Sequence, residues 1–242
     1  MAFSLAKRGY NLLLVARSSN ELDLVKGLLE DKFRITVEIL AADLSQQSSA
    51  KAVAEWVEHG NWPVSILINN AGYGLWGNFS DLQLSEQLNM LQLNISTLIE
   101  LTHSFIPLLK QHQQSYILNL ASTAAYQAVP TLALYSASKS FVLSFTRALR
   151  YELKNTPISV TCLSPGPVDT GFAERAGLNA LSKLAQTFNM KPEQVAEFAI
   201  RGMLKRKAEI IPGVTNVISA FATRLLPKSF IENAAAGIYK VS

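Results

Sequence analysis

The stretch "LASTAAYQAVPTLALYSASK" sets a tyrosine and a lysine, Tyr135 and Lys139, four residues apart at the start of a segment with helical period. That spacing puts both side chains on one face of a helix. Ser122 stands 13 residues before Tyr135, at the end of an apolar run of strand length, so a strand end and a helix start bring the three to one cleft. A tyrosine, with an unperturbed pKa of about 10, is a poor base at neutral pH. A neighbouring ammonium favours the phenolate and brings that pKa toward the range useful for acid–base work. The Ser122 hydroxyl can donate to the same oxygen of a carbonyl or alcohol, stabilising the negative charge that develops there. Such a set suits reversible carbonyl reduction. It does not suit acyl transfer, because nothing in it raises the nucleophilicity of the serine. A Tyr-Ser-Ala-Ser-Lys run can also be only a helix start with serine caps, so the surrounding elements carry the decision.

Strand-length apolar runs occur at 11–16 ("NLLLVA"), 35–44, 65–72, 115–122, 158–166 and 209–213. Between them, helical periodicity predicts helices near 18–32, 47–59, 84–111, 134–155 and 192–206, with Pro192 at the first helical position of the last. Most of the runs are apolar on both alternating faces, as in strands covered on two sides. The alternation predicts an α/β fold, a doubly wound Rossmann-type parallel sheet with helices on both faces. Ligands of such sheets sit outside the carboxyl ends of the strands. Those ends read "ARS", "ADLS", "NNAG", "LAS" and "SPGPVDT". Without repeats, low-complexity segments or linkers, the expectation is a single domain over 1–242.

Composition narrows the functional classes. With 242 residues, 49% of them hydrophobic, the chain is long enough for a sizeable core. Its net charge of +4 comes from scattered Lys and Arg, which argues against nucleic acid as a partner. One cysteine, Cys162, excludes an intrachain disulfide and a thiol metal cluster, and His59, His103 and His112 lack metal-ligand spacing, so no metal is expected. Neither a signal peptide nor a run of ~20 uninterrupted apolar residues is visible, so a cytoplasmic protein is expected.

Five short motifs recur in a telling order: "NNAG" at 69–72, Asn94 in "LNIST", Ser122, "YSASK" at 135–139 and "SPGPVDTGF" at 164–172. From about residue 2 to about residue 212 the chain resembles the short-chain dehydrogenase/reductases. The resemblance implies that Tyr135 donates the proton in reduction, Ser122 orients the substrate oxygen, and Lys139 binds the nicotinamide ribose and lowers the Tyr135 pKa. It implies that Asn94, at a helix irregularity, holds a water that relays protons to the lysine. Asn70, Ala71 and Gly72 would lie against the adenosine half of the cofactor, with Asp43 and Leu44 flanking the adenine. Pro165, Gly166, Val168 and Thr170 would hold the nicotinamide amide. The plainer readings are a helix-surface role for Asn94 and a helix cap for Asp43. Arg17, in "VARSS", stands where a cofactor-binding sheet of NAD type carries a carboxylate, so NADP (NADPH) is expected over NAD.

The resemblance makes residues 173–190 a lid over the substrate. That segment's Leu, Ala and Phe residues, together with Trp76 and the run at 128–134, suggest a hydrophobic ketone, aldehyde or 3-oxoacyl thioester, or the matching alcohol, as the small-molecule substrate. A homo-oligomer is expected. The tail beyond residue 213 reads chiefly as packing against the domain, with a partner interface or peripheral membrane contact as the minor alternative. A catalytically silent nucleotide sensor or scaffold of the same fold is the competing functional reading, and the complete Ser122, Tyr135, Lys139 and Asn94 set speaks against it.

By the same resemblance, "MAFSLAKRGY" matches only the later part of the first helix. The first strand and its Thr-Gly-x-x-x-Gly-x-Gly turn, which holds the cofactor pyrophosphate, have no counterpart in the sequence. That strand would lie centrally, between "NLLLVA" and "SILINN", and its absence predicts two facing edges roughly 10 Å apart. At ~1 kcal/mol for each of about ten lost backbone bonds, the expectation is a chain of marginal stability and weak cofactor binding, with an inactive fragment as the further alternative. By the resemblance, the expectation is a domain truncated at its N-terminus, with Met1 not the natural start and roughly 15 to 25 residues missing before it.

Overall fold

The apolar strand runs and the amphipathic segments between them form an alternating α/β chain, seen in a computed structural model that describes residues 1–168, 190–223 and 225–238. The order is α1 (Ala2–Ala6), β1 (Leu12–Ala16), α2 (Ser19–Lys32), β2 (Val37–Ala41), α3 (Ser49–His59), β3 (Ile66–Asn69) and α4 (Leu84–Leu91). A π-helical turn at Gln92–Ser96 joins α4 to α5 (Thr97–Leu109). Then come β4 (Ser115–Leu120), a 3₁₀ turn at Thr123–Tyr126, α6 (Ala133–Glu152) and β5 (Ile158–Leu163). The remaining described elements are α7 (Pro192–Leu204), β6 (Glu209–Ile210), α8 (Val214–Ala222) and α9 (Lys228–Ile238).

Local signals account for several boundaries. Ser18 caps α2 by accepting the Glu21 amide at 3.3 Å, the Ser-x-x-Glu arrangement of a capping box. Pro192 occupies the first turn of α7, where its missing N–H costs nothing. β2, β3, β4 and β5 stop two or more residues before the ends of the apolar runs that contain them, and the residues beyond them leave the strands.

Among the described residues all ladders are parallel, and they fall into two sheets. β1 pairs with β2, while β3, β4, β5 and β6 form the second sheet in sequence order. Two cores cover the faces. Leu118 and Leu163 pack with Leu29, Ile200 and Met203 on one side. Ile117 and Val160 pack with Val53, Val57, Leu101 and Phe105 on the other. Adjacent residues of β4 thus enter opposite layers, as the two-residue period of a strand requires. On β1, Leu12 and Leu14 join the first layer, and Leu13 and Val15 join the second.

The break in the sheet falls between β1 and β3, which no ladder joins. A cleft of about 1290 Å3 opens between β1 and β3 and is lined by both strands along their whole lengths. The carboxyl ends of the two sheets lie on one side of it: Leu44, just beyond β2, packs with Tyr73, just beyond β3, and its carbonyl accepts the Thr97 hydroxyl at 2.7 Å.

The single helix expected over 84–111 is three pieces, for a reason that lies in the site. Past β6, α8 and α9 form from the tail. Ala220 of α8 is buried, whereas Val214, Val217, Ile218 and Phe221 remain exposed. Among the described residues, no helix is long and apolar enough to cross a membrane.

Candidate active site

Lys139 is built into the floor of the site. Its ammonium is buried and donates to the Leu120 carbonyl, the last of β4, at 2.9 Å. Burial pulls its pKa from 10.5 down to about 8, with a smaller opposing pull from Cys162. With a pKa of about 8 the group remains mostly charged at neutral pH. Tyr135, one helical turn earlier, is 8% exposed, and the Lys139 ammonium lies 5.9 Å from its ring centre.

Ser122, two residues beyond the carbonyl that Lys139 holds, caps the 3₁₀ turn by accepting the Ala124 amide at 3.2 Å. Two further bonds fix that turn. Ser140 of α6 donates to the Ala125 carbonyl at 2.8 Å, and the Thr123 amide donates to the Pro165 carbonyl at 2.9 Å. Ser122, Tyr135, Lys139 and the segment after β5 are thus tied to one another through the end of β4.

Asn94 explains the broken helix. It is 1% exposed and sits in the π turn, where the wider backbone aims its amide inward. Its Oδ1 accepts the Tyr73 amide at 3.1 Å, and its Nδ2 donates to the Tyr73 carbonyl at 3.0 Å and to Ser138 Oγ at 3.1 Å. Ser138 in turn donates to the Tyr135 carbonyl at 2.7 Å. The chain from Tyr73 through Asn94 and Ser138 to Tyr135 was not legible in advance beyond Asn94 itself. The signal for Ser138 is a serine inside the Tyr-to-Lys turn, three residues after Tyr135.

The backbone of Gly72 lies against these groups. A Cβ there would come 2.9 Å from Asn94 Oδ1 and 3.2 Å from Lys139 Nζ. Glycine is required by this close approach.

Arg17, Asp43, Leu44, Asn70, Ala71 and Gly72 all line the cleft at its carboxyl end. The Asp43 carboxylate accepts from Ser45 Oγ at 2.7 Å and from the Ser45 amide at 3.0 Å, so it closes a turn rather than capping α3. These bonds hold its pKa below the usual carboxylate value, and the charge of Arg17 nearby contributes the same way. Asn70 and Ala71 are exposed, whereas Asn69 points into the interior. There Asn69 Nδ2 donates to Asn119 Oδ1 at 2.8 Å and Thr102 Oγ1 at 3.0 Å, and Asn119 Nδ2 donates to Thr146 Oγ1 at 3.0 Å. This buried network joins β3, β4, α5 and α6 directly beneath the site.

After β5, Pro165 takes the bond from Thr123, and Val168 bridges to Met190. Gly166 is packed against the Asn216 side chain of α8, so a Cβ there would collide with that amide. Thr170 and the expected lid, apart from Met190, lie outside the described residues. Among the described residues, no group of three His, Cys, Asp or Glu side chains is placed to hold a metal.

An apolar doubly wound sheet, a Tyr–Lys pair rooted at a strand end and a glycine-lined cleft define a class of nucleotide-dependent oxidoreductase. The family model described as short chain dehydrogenase matches residues 1–180, and the chain belongs to that family. Among curated relatives, the uncharacterized oxidoreductase SH0585 of Staphylococcus haemolyticus is 31% identical over 200 residues, covering 82% of each chain. The human 17-beta-hydroxysteroid dehydrogenase type 3 is 28% identical over 194 residues, which cover 77% of this chain and 60% of that protein. A solved short-chain dehydrogenase from Sphingobium yanoikuyae in complex with NADPH superposes with a TM-score of 0.81 at 28% identity, over 98% of this chain and 88% of that one.

Proposed function

We propose that the protein is an NADPH-dependent reductase of hydrophobic ketones, aldehydes or 3-oxoacyl groups, with Tyr135 as the proton donor. The observation that carries this reading is the Lys139 ammonium, buried beside Tyr135 and anchored on Leu120. The residues present fit the adenosine half and the nicotinamide ribose of the cofactor: Gly72 gives close backbone approach beside Asn94 and Lys139, and Arg17 and Asp43 stand at the rim of the same cleft. Asn70, Ala71 and Gly72 with Asp43 and Leu44 would hold its adenosine half, Arg17 its 2′-phosphate, Lys139 its nicotinamide ribose, and Pro165, Gly166, Val168 and Thr170 the amide. When bound, NADPH supplies the hydride that the carbonyl carbon receives.

The protein's own part is proton delivery and orientation. The Tyr135 hydroxyl gives its proton to the carbonyl oxygen, and the Lys139 charge stabilises the phenolate left behind. Ser122 donates to the same oxygen, offsetting its growing negative charge. Asn94 positions the Tyr135 turn: it clamps Tyr73 on one side and Ser138, which donates to the Tyr135 carbonyl, on the other. The apolar side chains around Tyr135, including Leu132, Val129 and Trp76, favour a hydrophobic substrate. Leu84 and Leu88 on α4 and Ile99 on α5 stay exposed, which supports a homo-oligomer.

The test is NADPH oxidation with a panel of hydrophobic carbonyls by wild type and Tyr135→Phe. Turnover by the wild type and its loss in the variant are expected. Turnover that survives the substitution refutes the assigned role.

A further inference from the structure

We propose that Glu209 is a positioning residue for the reaction, clamping the turn that carries Ser122 to the helix that carries Tyr135 and Lys139. The inference rests on the carbonyl-reducing role proposed above. Glu209 stands on β6, 83 residues from Tyr126 and 62 from Arg147, and its carboxylate holds both. The Tyr126 hydroxyl donates to Oε1, and Arg147 Nη1 donates to Oε2 at 2.8 Å. Tyr126 is the last residue of the 3₁₀ turn that Ser122 caps, and Arg147 lies on α6, about 12 Å along the axis from Lys139. One carboxylate therefore joins the two pieces of chain that carbonyl reduction has to hold in register.

Glu209 sits where a carboxylate is costly. Its side chain is 15% exposed, whereas Glu38, Glu55 and Glu197, the other ion-paired glutamates among the described residues, are 40% to 52% exposed. β6 needs no charge for its ladder to β5, which uses main chain alone, and its other residue is Ile210. A buried carboxylate is tolerated only when its oxygens are satisfied, and here both are. Burial first, then the bond to Glu209, push the Tyr126 hydroxyl far above its ordinary value, so it remains a donor at every pH suited to assay.

The turn depends on such ties. Four residues of 3₁₀ helix make poor internal hydrogen bonds, so outside contacts set its orientation. The Thr123 amide is fixed to Pro165 at the start, and the Ala125 carbonyl to Ser140 in the middle. Tyr126 fixes the far end to Glu209. Without that third tie the turn can rock about the other two, and the Ser122 hydroxyl shifts against Tyr135. A misplacement of about 1 Å at a reacting group costs up to about a hundredfold in rate. Ser122 acts on charge that grows toward the transition state, so the loss falls on kcat rather than KM.

The experiment compares Tyr126→Phe, Glu209→Ala and Glu209→Gln with wild type, each in the full chain. Phenylalanine and alanine break the tie, whereas glutamine keeps an acceptor for Tyr126. Amide hydrogen exchange without cofactor should quicken roughly tenfold or more at Thr123, Ala124 and Ala125 in the first two variants and stay near wild type in Glu209→Gln. Leu118, in the core of β4, reports global opening and should not change. In NADPH oxidation, Tyr126→Phe should lower kcat about tenfold with KM for the carbonyl within about twofold, and Glu209→Gln should recover most of the kcat that Glu209→Ala loses. On a Ser122→Ala background, Tyr126→Phe should cost nothing further, because the turn then carries no group for the reaction. A merely structural tie would lower kcat on both backgrounds alike, and that result overturns the proposal. So does exchange in Tyr126→Phe equal to wild type, or equal loss in Glu209→Gln and Glu209→Ala. Because exchange needs no turnover, the two failures are distinct: unchanged exchange counts against the clamp, and a wild type without turnover counts against the carbonyl-reducing role.

Discussion

Replacing Lys139 by methionine tests whether a strained, buried ammonium lies beneath Tyr135. Burial lowers the lysine pKa from 10.5 to about 8 in the folded chain. The unfolded chain keeps the ordinary value near 10.4. Between these limits the unfolded state holds a proton that the folded state has released, so stability rises with pH from about 8 to about 10.5. The interval corresponds to about 3 kcal/mol, felt in full as a penalty below pH 8 and gone above the upper limit. Cys162 acts in the opposite sense. Its thiol is pushed by burial from 9.0 to about 11, so the unfolded chain ionises first and stability falls across that range. Lys139 itself draws the Cys162 pKa down slightly, so the larger, burial-driven part of this contribution is common to wild type and variant and only the smaller part due to the lysine changes between them. Methionine also strips the Leu120 carbonyl of its donor, a cost of about 1–3 kcal/mol that does not vary with pH. Denaturant unfolding of both proteins in steps from pH 7 to 10.5 should therefore show the wild type gaining on Lys139→Met by about 3 kcal/mol. Parallel stability curves would refute a buried, charge-penalised lysine.

Gly72→Ala should lower kcat/KM for NADPH oxidation by about tenfold or more with little loss of stability, because the added methyl displaces Asn94 or Lys139 by a few tenths of an ångström. Steady-state kinetics beside a melting curve separates the two effects. Asn94→Ala strands the Tyr73 amide and carbonyl, and should cost about 2–4 kcal/mol in urea unfolding. Arg17→Ala should weaken NADPH binding about tenfold or more and leave NADH nearly untouched. An unchanged ratio of the two affinities would remove Arg17 from the 2′-phosphate.

What the sequence discloses here depends on how local each signal is. Tyr135 and Lys139 are one helical turn apart, so their partnership is written in their spacing. The layers of the sheet are legible for the same reason, since Ile117 and Leu118 enter opposite cores by strand alternation alone. The π turn at Gln92–Ser96 is different. It is stabilised by bonds from Asn94 to Tyr73 and Ser138, 21 and 44 residues away, which no window of local propensity contains. Without them the stretch from 84 to 111 reads as one helix. The two asparagines of "NNAG" part company because β3 ends between them: Asn69 enters the buried network and Asn70 faces outward. At Gly166 the resemblance implies room for a nicotinamide amide, whereas the structure places the Asn216 side chain of α8 against it. The tail that supplies Asn216 carries no motif, so its approach to the site was not visible.

If the protein reduces a carbonyl, hydride reaches the carbonyl carbon from NADPH while Tyr135 supplies the proton to the oxygen. The most direct measurement uses NADPH deuterated at the nicotinamide C4 position and a bulky apolar ketone, with mass spectrometry of the alcohol formed by wild type and Tyr135→Phe. Deuterium is expected on the carbinol carbon of the wild-type product, from the face of the nicotinamide that the protein selects, and no such product from the variant. Alcohol without deuterium on that carbon, or labelled alcohol formed equally well by Tyr135→Phe, would contradict this route.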